Sequence, residues 1–169
     1  MHTFHSVKAD SFDHSPFRLI GKEWMLITAG KNEKVNSMTA SWGGLGVIWG
    51  QNVAYIVVRK SRFTKEFIDA SNSFSLCFFD HNKYGEMLKY MGSKSGRNED
   101  KIKEARLTTR YYNQTPFFDE ASTVFICNKL CRQPITPENF TVDGINEKWY
   151  PDRDYHDLYI GGIMEILAQ

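Results

Sequence analysis

Arg59-Lys60-Ser61-Arg62-Phe63-Thr64 brings three cations and two hydroxyls into six consecutive residues. The stretch lies where the β-branched run Val53 to Arg59 ends. A segment with Phe63, Phe67, Ile68 and Ala70 set among Thr64, Lys65, Glu66 and Asp69 follows it. The period changes from that of a strand to that of a short amphipathic helix, with Ser61 or Thr64 available as its cap. Free N–H groups at a helix start favour an anion. Arginine adds a planar fork for phosphate oxygens and lysine a point charge. Cations by themselves are unfavourable at a helix N-terminus, so three of them there point to a bound anion, with a phosphate monoester as the natural guest. The plainer alternative is a solvated basic turn.

Two more stretches could complete a site. Asn36-Ser37-Met38-Thr39-Ala40-Ser41-Trp42-Gly43 is rich in small hydroxyl residues. Such residues let a planar ligand approach the backbone, whose N–H and C=O groups can pair with the polar edge of a heteroaromatic ring. Composition alone favours a simpler reading, a strand ending in a glycine-rich turn. Gly92-Ser93-Lys94-Ser95-Gly96-Arg97, followed by Asp100-Lys101, looks like a phosphate loop but lacks the GxxxxGK[ST] spacing of a nucleotide triphosphatase. Composition reads it as a surface loop. Cys127 and Cys131 have no CxxC spacing and no nearby histidine, so no metal site is expected. On an extended strand they are also too far apart for a disulfide.

The elements around these stretches are mostly strands. Trp24 to Ala29 reads as the first, ended by the polar turn Lys31-Asn32-Glu33-Lys34, and Asn36 to Trp42 as the second. Val53 to Arg59 reads as a strand buried on both faces. Ser73 to Phe79 alternates Phe74, Leu76 and Phe78 with Ser73, Ser75 and Cys77, as a half-buried strand does. Residues 83–91 form a helix with Gly92 just past its end, and Lys101 to Ala105 a brief one. Ser122 to Arg132 and Leu158 to Leu167 are the remaining strands, separated by an irregular segment from Pro134 to Asp157. Strands in succession with a few inserted helices favour a β-barrel with peripheral helices over a doubly wound sheet.

Composition bounds the function. The chain has 169 residues, enough for a single domain over 1–169. Its 21 Lys+Arg against 20 Asp+Glu give a net charge of +1, which argues against a nucleic-acid partner bound through bulk charge. Apolar residues make up 41% and aromatics 14%, which supports a folded core. No apolar run reaches the roughly 18 residues of a membrane span, and Met1 to Asp10 shows no secretory signal. Three cysteines, an odd number, point to a reducing cytoplasm.

Taken in order, these stretches resemble the flavin reductase-like family with the FMN-binding split-barrel fold, in its flavoredoxin-type branch. The resemblance is carried by Asn36–Gly43, Gly46-Val47-Ile48-Trp49-Gly50 and Val58–Ile68. It continues through Phe74–Phe79, Ser95-Gly96-Arg97 with Asp100–Ala105, Trp149-Tyr150-Pro151, Asp154-Tyr155-His156 and Tyr159-Ile160-Gly161. It implies a six-stranded, Greek-key split β-barrel with short peripheral helices, paired as a homodimer with FMN near the subunit interface. Asn36, Met38, Thr39, Ala40, Ser41 and Trp42 would line the isoalloxazine, with Thr39, Ala40 and Ser41 offering mainly backbone. Arg59, Lys60, Ser61, Arg62 and Thr64 would hold the ribityl phosphate, and Ser95, Gly96 and Lys101 would close over it. His156 would stand near the reactive face of the ring and donate a hydrogen bond to the reduced flavin or to substrate; as a residue alone it also reads as a satisfied histidine at a strand start. No GxGxxG fingerprint appears, so NADH or NADPH would bind transiently over the flavin. Electrons would pass on to a flavin, another small molecule or a redox protein. The alternative within the same resemblance is a flavoredoxin-like electron carrier without enzymatic turnover.

Overall fold

Ten strands and five α-helices succeed one another among the described residues of the computed structural model, which are 1–31 and 33–169. In chain order they are β1 (His5–Ser6), α1 (Pro16–Gly21), β2 (Met25–Lys31), β3 (Lys34–Ala40), β4 (Gly43–Ile48), β5 (Gln51–Arg59), α2 (Phe63–Ala70) and β6 (Ser73–Phe78). After these come α3 (His81–Ser93), α4 (Lys101–Glu104), β7 (Thr109–Tyr112), β8 (Thr115–Phe118), β9 (Thr123–Pro134), α5 (Ile145–Trp149) and β10 (His156–Ala168). The turn expected over residues 31–34 includes Asn32, which lies outside the described residues.

The main sheet is antiparallel and ordered β3-β2-β6-β9-β10-β5-β4, with β1 also paired to β10. Six of its strands, β2, β3, β5, β6, β9 and β10, send side chains into one core. Ile27, Met38, Ile56, Phe74, Phe125 and Tyr159 each represent one of them. This is the expected mainly-β split barrel, with short helices around it. A second core fills the outer side of β2, β6 and β9, beneath α3 and the β7–β8 hairpin, and holds Leu26, Cys77, Leu88, Phe118 and Val124. Burying both layers is the main driving force for closing the sheet.

Several local expectations change in the folded chain. The glycine run after Trp42 is an edge strand, β4, and its hairpin with β5 turns at Trp49 and Gly50, which both have positive φ (53° and 71°). That geometry suits the right-handed strand twist. The strand over 53–59 is half-buried. Ala54, Ile56 and Val58 face the core, while Tyr55 lies outward over Gly44, where a Cβ would sit 2.4 Å from its ring. The 73–78 strand is buried on both faces, because β8 covers the side read as polar and Ser75 Oγ donates to the Pro116 carbonyl at 2.6 Å. Gly92 lies within α3, which runs on to Ser93. A Cβ there would sit 3.2 Å from Thr39 Cβ, so the glycine lets α3 pack against β3. Neither Ser61 nor Thr64 caps α2; Arg62 holds that position without a side-chain cap, because both hydroxyls are engaged elsewhere.

Candidate functional site

β3 ends the sheet and, among the described residues, pairs only with β2. Its outer edge therefore presents backbone N–H and C=O groups that no strand takes up among the described residues. Near the C-terminal end of β3, β5 finishes at Arg59 opposite His156, the first residue of β10. The turn after Arg59 leads straight into α2. The chain thus gathers a strand edge, a strand-to-helix junction and the start of β10 in one place.

Two adjoining cavities open there. The first, of about 210 Å³, is lined by Met38 to Trp42 of the β3 end, by Val57, Arg59 and Arg62, and by Trp149 and His156. The second, of about 190 Å³, is lined by Asn36 and Met38, by Ser61 to Thr64, by Ser93 to Gly96 and by Lys101. Met38 and Arg62 belong to both. Together the two spaces fall in the ~300–1,000 Å³ range of small-molecule sites. A larger cavity of about 510 Å³ beside the β7–β8 turn holds none of the expected residues.

The first cavity is walled by aromatic groups and backbone. Trp42 and Trp149 meet edge to face with centroids 5.0 Å apart, and Trp42 lies 5.2 Å from the His156 ring. The Thr39 hydroxyl donates to the Leu88 carbonyl at 2.6 Å, which turns that side chain toward α3 and leaves the strand's main chain as its contribution to the cavity. His156 is buried and its Nδ1 lies 2.8 Å from the Tyr150 hydroxyl. Burial first, and then the Arg59 guanidinium, push the His156 pKa down to about 4, so the ring is neutral at ordinary pH. With the Tyr150 hydroxyl as donor, its proton sits on Nε2.

The second cavity is cationic. Arg62 donates to the Gly92 carbonyl at 3.0 Å. Lys101 is buried, with Nζ donating to the carbonyls of Met91 (2.9 Å) and Lys94 (3.2 Å) at the end of α3. Burial, and then Arg62, lower its pKa to about 8. Asn36 Nδ2 donates to Thr64 Oγ1 at 2.8 Å, which ties β3 to α2. The helix itself is held by an ionic cluster centred on the buried Lys65 and Asp157. Lys65 Nζ lies 2.7 Å from Asp69 and 2.9 Å from Asp157, and Arg132 lies 2.6 Å from the same Asp157 oxygen. Burial alone would lower the Lys65 pKa, but the bonds to Asp69 and Asp157 more than offset it and keep the amine charged. Asp157 follows His156 in sequence, so the cluster fixes α2 relative to the first cavity.

The structure divides the basic hexapeptide. Ser61, Arg62 and Thr64 line the second cavity, and so does Asn36, expected against the ring, which does not line the aromatic cavity. Arg59 lines the first and is occupied: its guanidinium donates to the carbonyls of Asp154 (2.9 Å) and Trp149 (3.0 Å) and stands 5.2 Å from the Tyr150 ring centroid. The Ser61 hydroxyl donates to Asp154 Oδ2 at 2.5 Å. Lys60 lines neither cavity; it is exposed and its backbone N–H bonds to Tyr155. Ser95, Gly96 and Lys101 do reach the second cavity within the same chain. Ser93, Lys94, Val57 and the histidine's partner Tyr150 are additions. Ser93 and Lys94 sit in a stretch already marked as phosphate-loop-like, whereas nothing in the local sequence signals the Tyr150–His156 pair. Among the described residues no group of three or more His, Cys, Asp or Glu could hold a metal ion, and no helix is long and apolar enough to cross a membrane.

A barrel of this topology, with a strand edge and a cationic helix start meeting at one end, is the flavin-binding split-barrel architecture. The chain belongs to the flavin reductase-like family: the model of the flavin reductase like domain matches residues 17–168. Solved structures share the fold. An FMN-binding domain of a flavin reductases-like enzyme from Shewanella baltica OS155 has 19% identity and a TM-score of 0.69, over 98% of this chain and 77% of that one. Flavoredoxin of Desulfovibrio vulgaris (Miyazaki F) has 18% identity and a TM-score of 0.68, over 96% and 77%. The NADH:FAD oxidoreductase SgcE6 of Streptomyces globisporus C-1027 has 12% identity and a TM-score of 0.63, over 87% and 75%. No curated protein matches the chain.

Proposed function

We propose that this chain is a single-domain FMN-dependent oxidoreductase that takes electrons from NADH or NADPH and delivers them to a flavin, another small molecule or a redox protein. The observation that carries this reading is the pair of cavities joined at Met38 and Arg62, one aromatic with a free strand edge, the other cationic. The residues present fit FMN. The edge of β3 at Thr39, Ala40 and Ser41 offers donors and acceptors for a heteroaromatic ring, and Arg62, Lys101 and the start of α2 suit a phosphate dianion.

When bound, FMN would supply the redox chemistry, hydride acceptance and electron release. The chain's own residues bind and orient. Trp42 and Trp149 wall one end of the ring cavity. Neutral His156, held through Nδ1 by Tyr150, presents Nε2–H as a hydrogen-bond donor. Arg59 contributes by pinning the 149–154 segment, which brings Trp149 and Tyr150 into place.

The reading includes a homodimer with the flavin near its interface, in a reducing cytoplasm. The exposed Phe17, Trp42 and Tyr55, which line one cavity beside β4, form an apolar surface that suits such a contact. The likeness to flavoredoxins favours a second reading, an electron carrier that binds FMN without turning over a pyridine nucleotide. An absorbance spectrum of the purified protein with FMN, then anaerobic NADH or NADPH, tests both. Flavin absorbance that bleaches on nucleotide addition supports the reductase, and a bound flavin that stays oxidised supports the carrier. A protein that remains colourless after incubation with FMN and gel filtration refutes both.

A further inference from the structure

Asn36, Phe63, Gly96 and Lys101 line the cationic cavity of about 190 Å³ and also a neighbouring one of about 560 Å³. The two spaces meet at a wall. Asn36 is buried, and its Nδ2 is committed to Thr64 Oγ1 at 2.8 Å. A Cβ on Gly96 would lie 2.2 Å from Asn36 Oδ1 and 3.2 Å from the Phe63 ring, so only a hydrogen fits between these groups. Asn36 cannot swing aside without giving up a buried hydrogen bond and its packing on Gly96.

We propose that Asn36 is a specificity-determining residue. It ends the cavity just past the room for one phosphate, so that the site takes a flavin mononucleotide and rejects a flavin dinucleotide. The inference rests on the FMN reading above. Space is not what a dinucleotide lacks. Behind the wall, Phe63 offers an aromatic surface with the Arg97 guanidinium 4.8 Å from its ring centroid; Arg97 is held there by Glu66 at 2.7 Å, and Lys34 lines the same space as a further cation. The acidic groups on that side are engaged: Glu99 accepts from the Tyr90 hydroxyl at 2.9 Å, and Asp100 accepts from the Lys103 N–H at 3.2 Å. The second half of a dinucleotide would therefore meet a suitable surface once the Asn36 side chain is gone.

Fluorescence titration of the full chain with FMN and FAD tests this, with a thermal melt of each variant to confirm folding. The wild type is expected to prefer FMN by about tenfold or more, and Asn36→Ala to shrink that preference by about tenfold. Asn36→Ser, which keeps a hydroxyl within the wall's polar surroundings, serves if the alanine variant does not fold and is expected to shift the ratio in the same direction. A wild type that binds FAD as tightly as FMN overturns the proposal, as does an unchanged ratio in the folded variants. Binding of neither flavin by the wild type overturns the parent reading, and the role of Asn36 with it.

Discussion

The two cavities that meet at Met38 and Arg62 are built by opposite means. The aromatic one uses a strand edge and rings, and it draws on Trp42 and Trp149, which lie more than a hundred residues apart in sequence. The cationic one uses charges and hydroxyls from two compact stretches, 61–64 and 93–101. Shape and backbone dipoles select at one end, and net charge selects at the other. A flat head and an anionic tail suit the two cavities together, which is a stronger demand than either cavity makes alone.

Arg62→Ala should break this division most severely, because Arg62 serves both cavities and carries the charge. Losing one charge-assisted contact costs about 1.5–3 kcal/mol, which corresponds to FMN binding roughly 10- to 150-fold weaker. Riboflavin, which lacks the phosphate, should lose far less. Parallel titrations with the two flavins check this, and equal losses would refute the separation of head and tail.

Lys101 should add a pH signature confined to the cationic end. Its pKa of about 8 in the free protein rises when an anion binds beside it, so binding takes up a proton above that pH. FMN affinity is expected to fall by about tenfold at most between pH 7 and pH 9. Lys101→Met should flatten the dependence, as read by titration at both pH values.

At the aromatic end the expected signature is one of stability. The His156 pKa falls from 6.5 in the unfolded chain to about 4 in the folded one. Between those values the unfolded chain binds a proton that the folded chain does not. The contribution of this group is therefore complete above pH 6.5 and is lost as pH falls toward 4. Melting curves over that window should show a steeper acid loss for the wild type than for His156→Gln. The smallest effect is expected for Lys60→Ala, which should leave FMN affinity unchanged and stability within about 0.5 kcal/mol. A marked loss of affinity would return Lys60 to the phosphate site.

Strand periods were largely legible in the chain. β2, β3, β5, β6, β9 and β10 lie where alternation or β-branched runs place them. β4 was hidden because its glycines resemble a turn, and it becomes a strand only through pairing with β5 and the cover of Tyr55 over Gly44. The β7–β8 hairpin was missed because its turn, Asn113-Gln114, reaches positive φ without a glycine. For the site, residue type marked the basic stretch at 59–64 but could not rank its members. Arg59, Lys60 and Arg62 are alike in sequence, and only the fold engages the first with carbonyls, turns the second to solvent and sets the third between the cavities.

The amino-acid sequence by itself determined the barrel class, the junction at residues 59–64 and the small-residue strand at 36–42, because periodicity and side-chain chemistry act over a few residues. The pairing of Tyr150 with His156, the burial of Lys101 at the end of α3 and the wall between Asn36 and Gly96 were decided by tertiary structure alone. Each depends on a distance or a loss of solvent between segments that only the closed sheet and its packed helices bring together.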